Sequence, residues 1–423
     1  MLKSFNFTTV PFLVFIGLVF FTPSFGSYDI IGPQWLFYSI INLLLFIFLL
    51  KHISFSSLKE FFKPTHIRFL SFFFLLCFLS LIYANNVFLV IHDLSRFGTF
   101  FLSLYLFFLL FKKDILNLKQ IYISFIFISL IEIYLSLKPL FFDFFFNDLD
   151  IFNIEEIKLS IFKGNAGNKN ITAASIVTKL PLSLYLFTRK NISYKLFATT
   201  FLFFQCLSIF FLSARASFLS LSISILIFVV YLIFNIYKGQ KHNLFSIFLI
   251  IVSISLAFLL SSKILPSNLS VSNRSSSINF SNESSSNRFE LWSNALDHIA
   301  TNPLHGSGLG NWKVESIKYW GNIGDYYLIP YHAHNDILEL STELGVLGGL
   351  LYFGFFITVT IFLFKLFLKS KSVIYLFALL YLTSYSIDMM LNFPIERPIM
   401  QLPLALFAAY FTNAHNLKAY QND

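Results

Sequence analysis

The chain has 423 residues, of which 57% are hydrophobic and only 12% are Asp, Glu, Lys or Arg. A soluble domain carries roughly 25% charged residues. With 59 Phe and a mean hydropathy of +0.73, polar surface is too scarce to cover a water-soluble protein of this size. A cytosolic enzyme, a nucleic-acid-binding protein and a disulfide-stapled secreted domain are all disfavoured. The formal charge of +9 therefore reads as a topology signal. The two cysteines, Cys77 and Cys206, each lie inside an apolar run and read as small buried hydrophobes.

In chain order, apolar runs fall near 8–26, 30–50, 67–85, 88–111, 119–137, 170–188, 193–212, 216–237, 243–262, 336–364, 373–391 and 398–413. That is about twelve stretches of roughly membrane-spanning length. The first contains Pro11 and Pro23 and could be an uncleaved signal-like segment, but no small-residue cleavage site follows it, so it is taken as a span. In lipid the backbone must satisfy its own hydrogen bonds, so runs this apolar are helices. Period-two alternation is absent, which excludes a β-barrel. The expected fold is an all-α polytopic membrane protein with about twelve transmembrane helices.

Lys and Arg crowd the short connections on the side of the N-terminus, among them Lys51, Lys59, Lys63, Lys112, Lys113, Arg189 and Lys190. This favours both termini in the cytoplasm. Two segments on the opposite face are long, residues 138–169 and 263–335, and long loops usually carry function. The chain thus divides into nine helices over 1–262, a large outer loop over 263–335, and three helices over 336–423. Within the large loop, residues 267–287 are mostly Ser and Asn. Asn-x-Ser triplets beginning at Asn268, Asn273, Asn279 and Asn282 read as chance in such a tract rather than glycosylation acceptors. No internal repeat is present. Asn287 and Glu290 resemble a capping box that opens a helix. Phe289, Trp292, Leu296 and Ile299 then recur on one face, as expected of an interfacial helix carrying Arg288 in its first turn and stopping before Asn302-Pro303.

The segment Gly306-Ser307-Gly308-Leu309-Gly310 lacks the strand and helix that a dinucleotide site requires, so it reads as turn chemistry. More informative is His332-Ala333-His334-Asn335-Asp336, which leads into a long apolar helix. Asn335 is a natural N-cap. The positive helix end beside His334 favours anions and a neutral imidazole, as a general base requires. A plain capped helix with an interfacial histidine is the competing reading. A His-x-His metal site is disfavoured, lacking a further ligand at fixed spacing. Glu339 and Glu343 are placed to orient His334 or an Arg. Arg215 opens its span in a short connection with no other charge. It either snorkels or holds an anion. Arg96 and Lys179 lie deeper and mark functional candidates, unless Glu132 and Asp388 neutralise them. Arg215, Arg288, His334 and Lys179 thus gather on one face as a cationic cluster with one candidate base.

At these residues the chain resembles the O-antigen ligase and polymerase superfamily, over residues 165–350. The ligase-type signature is His, then Asn, Ser or Gln, nine residues, Gly, two residues, and Gly, Thr or Tyr. It is matched in full by His334-Asn335, Gly345 and Gly348. The family's Arg-x-x-x-Leu element is similar to Arg215 through Leu219, and its second loop Arg is similar to Arg288. Asn168-Lys169-Asn170 is similar to the family's Asn-x-Asn. The resemblance implies a class C glycosyltransferase-like helical fold with a large periplasmic loop, in the bacterial inner membrane, with no metal, nucleotide sugar or other cofactor. The implied donor is an undecaprenyl-diphosphate-linked glycan. The implied acceptor is the lipid A-core, with a growing polysaccharide or a protein as alternatives, and no nucleic acid takes part. The implied catalytic residues are His334, Arg215 and Arg288, with Arg215, Arg288, Lys179 and Asn335 binding substrate. A transporter is the rival from another class. It would need a polar path through the bundle, whereas the polar residues concentrate at one face.

Overall fold

The computed structural model describes residues 9–27, 29–146, 159–265, 288–319 and 331–419. Its helices are α1 (Thr9–Phe20), α2 (Ile31–Leu49), α3 (Phe55–Phe61), α4 (Thr65–Leu79), α5 (Val87–Lys112), α6 (Leu118–Phe146), α7 (Lys169–Thr178) and α8 (Leu180–Phe187). They continue with α9 (Ile192–Leu212), α10 (Arg215–Tyr237), α11 (His242–Ile264), α12 (Arg288–Thr301), α13 (Trp312–Glu315), α14 (Asp336–Ser370), α15 (Val373–Leu391) and α16 (Pro398–Ala419). The described residues contain no strand. The protein is an all-helical, multi-pass membrane protein, as its composition dictates.

Among the described residues, nine helices are long and apolar enough to cross a membrane: α2, α4, α5, α6, α9, α10, α11, α14 and α15. The other three apolar runs take different forms. Run 8–26 becomes α1, only 12 residues long, and run 398–413 lies in α16, which contains Pro403. Run 170–188 is divided into α7 and α8 at Lys179. Pro181 explains the division: it has no N–H, and its ring crowds the carbonyl four residues back. The Asn287 cap, the 267–287 tract and the middle of the 138–169 loop fall outside the described residues.

The chain forms two compact units. One comprises residues 1–30, 118–279 and 363–388, the other 31–117, 280–362 and 389–423. In the first, α9 is the central helix, with Phe201, Cys206 and Phe211 in one buried cluster with Phe187 of α8, Phe228 of α10 and Ile250 of α11. Lys179 is buried there. Its Nζ is 2.9 Å from Glu132 Oε2 and donates to Ser175 O (2.9 Å) and Ser175 Oγ (2.7 Å), facing the Phe20 ring at 4.6 Å. The ion-pair alternative weighed for this residue is therefore the arrangement found.

In the second unit, α5 packs on α2 and α16, and Cys77 of α4 is buried. Arg96 of α5 pairs with Glu396, in the turn after α15, and lies 3.8 Å from Asp93. Glu396, which is neither of the two acids (Glu132 and Asp388) weighed from sequence, is thus its main counter-charge. Trp35 Nε1 donates to the Glu396 carbonyl (2.9 Å), fixing that turn against α2. A separation of 300 residues hides this pairing from any local reading of the sequence.

Candidate active site

The site grows from the start of α14. Asn335 accepts from the Ile337 and Leu338 N–H groups at 3.1 and 3.2 Å, so it caps the helix as its residue type predicts. One residue earlier, His334 has φ +52°. This is a left-handed conformation uncommon for a residue with a Cβ, and such backbone is concentrated at functional sites. Glu339, one turn into the helix, reaches back to hold the loop. Its Oε1 is 2.9 Å from His332 Nδ1, and its Oε2 accepts from the Ala333 N–H (2.8 Å). Glu339 therefore orients His332 and the backbone, not His334. Glu343 accepts from the Trp312 N–H (3.2 Å), so it fastens the preceding loop. These two assignments correct the expectation that both acids would serve His334 or an Arg.

Phe393, just past α15, organises the rings around this loop. His332 stacks on it at 4.1 Å and His334 meets it edge-on at 5.2 Å, while the Arg397 guanidinium lies 4.3 Å from its centroid. Arg288, the first residue of α12, donates through Nη2 to Asn392 Oδ1 at 3.3 Å. Burial and the charges of Arg288, His332 and Arg397 together push His334 down to about 4. His332 behaves oppositely. Burial alone would lower it, but the Glu339 carboxylate, with Glu396 further off, raises it above the ordinary imidazole range. At neutral pH, His334 is thus a neutral imidazole, whereas His332 is shifted toward its charged form. His334 Nδ1 is buried and has no hydrogen-bond partner among the described residues.

Behind the site, α14 is broken at Gly345, whose φ of 72° and ψ of 176° are not helical. The break frees backbone groups that the 303–308 loop then uses. Val346 N–H donates to Pro303 O (2.9 Å), Ser307 N–H to Thr342 O (3.0 Å) and Gly308 N–H to Glu343 O (2.8 Å). A Cβ on Gly345 would overlap the Leu304 carbonyl, and one on Gly306 the Thr342 carbonyl. The glycines of the Gly-x-Gly-x-Gly segment are thus close-approach turns, Gly306 against the Thr342 carbonyl, Gly308 against Ala84 and Gly310 against Asp93, while Gly345 lies against Pro303 and Leu304.

Helix α12 packs inward through a face other than its large apolar one. Leu291, Ala295 and His298 are buried, and Ala295 clusters with Trp312 and Ala333. Of the predicted stripe, Phe289 and Leu296 are 38% and 54% exposed, so that side is not the packed one. A small Ala and a polar His lie on the inner face, which apolar periodicity alone does not mark. His298 Nδ1 is 3.0 Å from the Tyr319 hydroxyl, and burial lowers its proton affinity.

Of the residues singled out from sequence, the second unit brings together Arg288, His334 and Asn335. Arg215 and Lys179 belong to the first unit. Arg215 is the first residue of α10, after Ser213 ends α9 in left-handed backbone, and its Nε is buried with no partner among the described residues. Sequence reasoning passed over Arg397 and Phe393. The available signal was an Arg in a short connection bounded by Pro394 and Pro398.

This geometry defines a multi-pass helical membrane protein with a cation-rich histidine site. The model for the family described as O-Antigen ligase matches residues 200–353, which include Arg215, Arg288, His334 and Gly345. The chain is accordingly similar to the O-antigen ligase superfamily, which implies a glycosyltransferase-like enzyme. No curated protein matches it.

Proposed function

We propose that this protein is an inverting glycosyltransferase that moves an undecaprenyl-diphosphate-linked O-antigen or related glycan onto the lipid A-core, at the periplasmic face of the bacterial inner membrane. The observation that carries this reading is the neutral His334, with φ +52°, set among Arg288, Arg397 and His332. His334 takes the proton from an acceptor hydroxyl as that oxygen attacks the anomeric carbon. The bond from that carbon to the diphosphate breaks, and Arg288 stabilises the charge left on the carrier. The family likeness adds Arg215 as a further phosphate-binding cation and Asn335 as a substrate contact. Lys179 carries no weight in the proposal, because its amine already serves Ser175 and Glu132.

Deleting the gene and resolving lipopolysaccharide on gels tests the acceptor. Loss of ligation leaves core without long chains while carrier-linked polymer accumulates. Core bearing one repeat would instead make the protein the polymerase, and unchanged lipopolysaccharide would turn attention to a protein acceptor. Transfer from purified lipid-linked donor should persist in excess EDTA. Inhibition reversed by magnesium or manganese would overturn the metal-free mechanism. Reporter fusions within 263–335 should score as periplasmic, and a cytoplasmic signal would remove the mechanism altogether.

A further inference from the structure

We infer that Glu339 is a positioning residue for His334, using its two carboxylate oxygens on the two preceding residues, His332 and Ala333, to aim the His334 imidazole. The inference rests on the proposed role of His334 as base. Three observations support it. First, a histidine base is ordinarily aimed by a group hydrogen-bonded to its second ring nitrogen, whereas His334 Nδ1 makes no hydrogen bond among the described residues. Its direction therefore comes from its backbone and from the edge contact with Phe393 at 5.2 Å. Second, that backbone has φ +52°, which a residue with a Cβ keeps only where its surroundings over-determine it. Here they do so from both sides. Glu339 Oε2 accepts from the Ala333 N–H at 2.8 Å, and the Glu339 N–H donates to the Asn335 carbonyl at 2.9 Å. The residue before His334 and the residue after it are thus both tied to Glu339. Third, Glu339 Oε1 lies 2.9 Å from His332 Nδ1, and the His332 ring stacks on Phe393 at 4.1 Å with 15° between the planes. That is the ring His334 meets edge-on, so the same carboxylate reaches both supports of the base.

Glu339 also reaches His334 through charge. His332 faces Glu339 of α14, Glu396 in the turn after α15 and Lys313 of α13. Burial and Lys313 lower its proton affinity, but Glu339, with Glu396 behind it, raises it above the ordinary imidazole range. His334 in turn is held down by burial first, then by Arg288 of α12, His332 of its own loop and Arg397 of the 394–397 turn. Removing the Glu339 charge lets His332 neutralise, which withdraws one of those three positive neighbours and raises the proton affinity of His334. A strut that only held the loop would leave this balance untouched. The pH dependence of transfer therefore separates the two roles.

The experiment uses the full-length protein in lipid nanodiscs and follows transfer from purified lipid-linked donor across pH. Glu339→Gln keeps the size of the side chain and an oxygen for the Ala333 N–H, but puts a neutral amide beside His332. Its acidic limb in kcat/KM should lie above the wild-type position of about 4, moved toward the ordinary imidazole value of about 6.5. Glu339→Ala, which also releases the Ala333 N–H, should lower kcat by about 10²-fold, the cost of misplacing a reacting group by about 1 Å, with the donor KM within about twofold of wild type. His332→Phe keeps a ring on Phe393 without the charge. Its limb should coincide with that of Glu339→Gln, and the double variant should move it no further, because both changes remove the same charge. A wild-type limb in Glu339→Gln, or a limb that moves further in the double variant than in either single one, would overturn the inference. So would a Glu339→Ala variant that inserts normally and keeps wild-type kcat. If the Ala variant does not insert, the limbs of the Gln and Phe variants decide. Loss of transfer in His334→Ala beside Glu339 variants of wild-type rate and limb sinks this inference alone, whereas wild-type transfer by His334→Ala sinks the proposed base with it.

Discussion

Lys179 and the His334 cluster both place positive charge in buried surroundings, and their neighbours treat it in opposite ways. Around Lys179, a carboxylate, a hydroxyl and a backbone carbonyl lie within 2.7–2.9 Å of the amine, and no donor is left over. Around His334, burial and the charges of Arg288, His332 and Arg397 keep the ring neutral, and its Nδ1 has no hydrogen-bond partner among the described residues. A fully compensated buried charge marks a structural joint. A buried imidazole held neutral, with a ring nitrogen left open, marks a place for proton transfer.

The largest effect should separate the two histidines. His334→Ala is expected to lower transfer by about 10²–10⁴-fold, the usual contribution of a positioned base, with normal membrane insertion. His332→Ala should cost less, since His332 acts by holding the loop through Glu339. Equal losses in gel-resolved ligation would dissolve the distinction, and wild-type activity in the His334 variant would reduce that residue to a bystander of the Asn335 cap. Next come the arginines. Arg288→Lys and Arg215→Lys should each retain partial donor binding yet transfer poorly, because a point charge replaces a bidentate fork. Unaltered donor affinity and rate in either would assign that arginine to anchoring its helix.

The Lys179 side of the comparison should break the other way. Lys179→Met alone leaves Glu132 buried without its cation and should destabilise by about 3–5 kcal/mol, whereas Lys179→Met with Glu132→Leu should be near neutral. Thermal stability in detergent reads both, and donor affinity in the double variant should equal wild type. A donor defect there would place Lys179 in the functional set after all. The smallest effect concerns pH. His334 is held near 4, below its ordinary value, so its neutral form dominates throughout the neutral range. Transfer efficiency of the free enzyme should therefore stay level as pH falls through the usual imidazole range and drop only on approach to about 4. A limb near the ordinary value of about 6.5 would show that the surrounding cations do not act on His334 in the working protein.

Much of this was legible in the residues themselves. Helix class follows from apolar runs that have no alternative in lipid, and the Asn335 cap follows from residue type. The His334 signature was visible because its parts are close in sequence. What the sequence concealed depends on long-range geometry. Arg96 finds its counter-charge in Glu396, 300 residues away. Run 170–188 looked continuous because hydropathy does not register the missing N–H of Pro181. The inner face of α12 gave no apolar signal, because Ala295 and His298 fit against Trp312 through size and ring geometry.

The interruption at Gly345 has a mechanical consequence. Beyond it, about 25 residues of α14 rise about 37 Å, more than the roughly 30 Å of hydrocarbon a bilayer offers, so this rod leans to fit, by an amount that changes with membrane thickness. An unbroken rod would transmit every change of lean to the nine-residue stub that bears Asn335 and Glu339. The stub is instead tied sideways to the 303–308 loop by three backbone hydrogen bonds, and the ladder between stub and rod is cut. The break at Gly345 thus lets the stub take its position from the 303–308 loop and not from the direction of the rod alone.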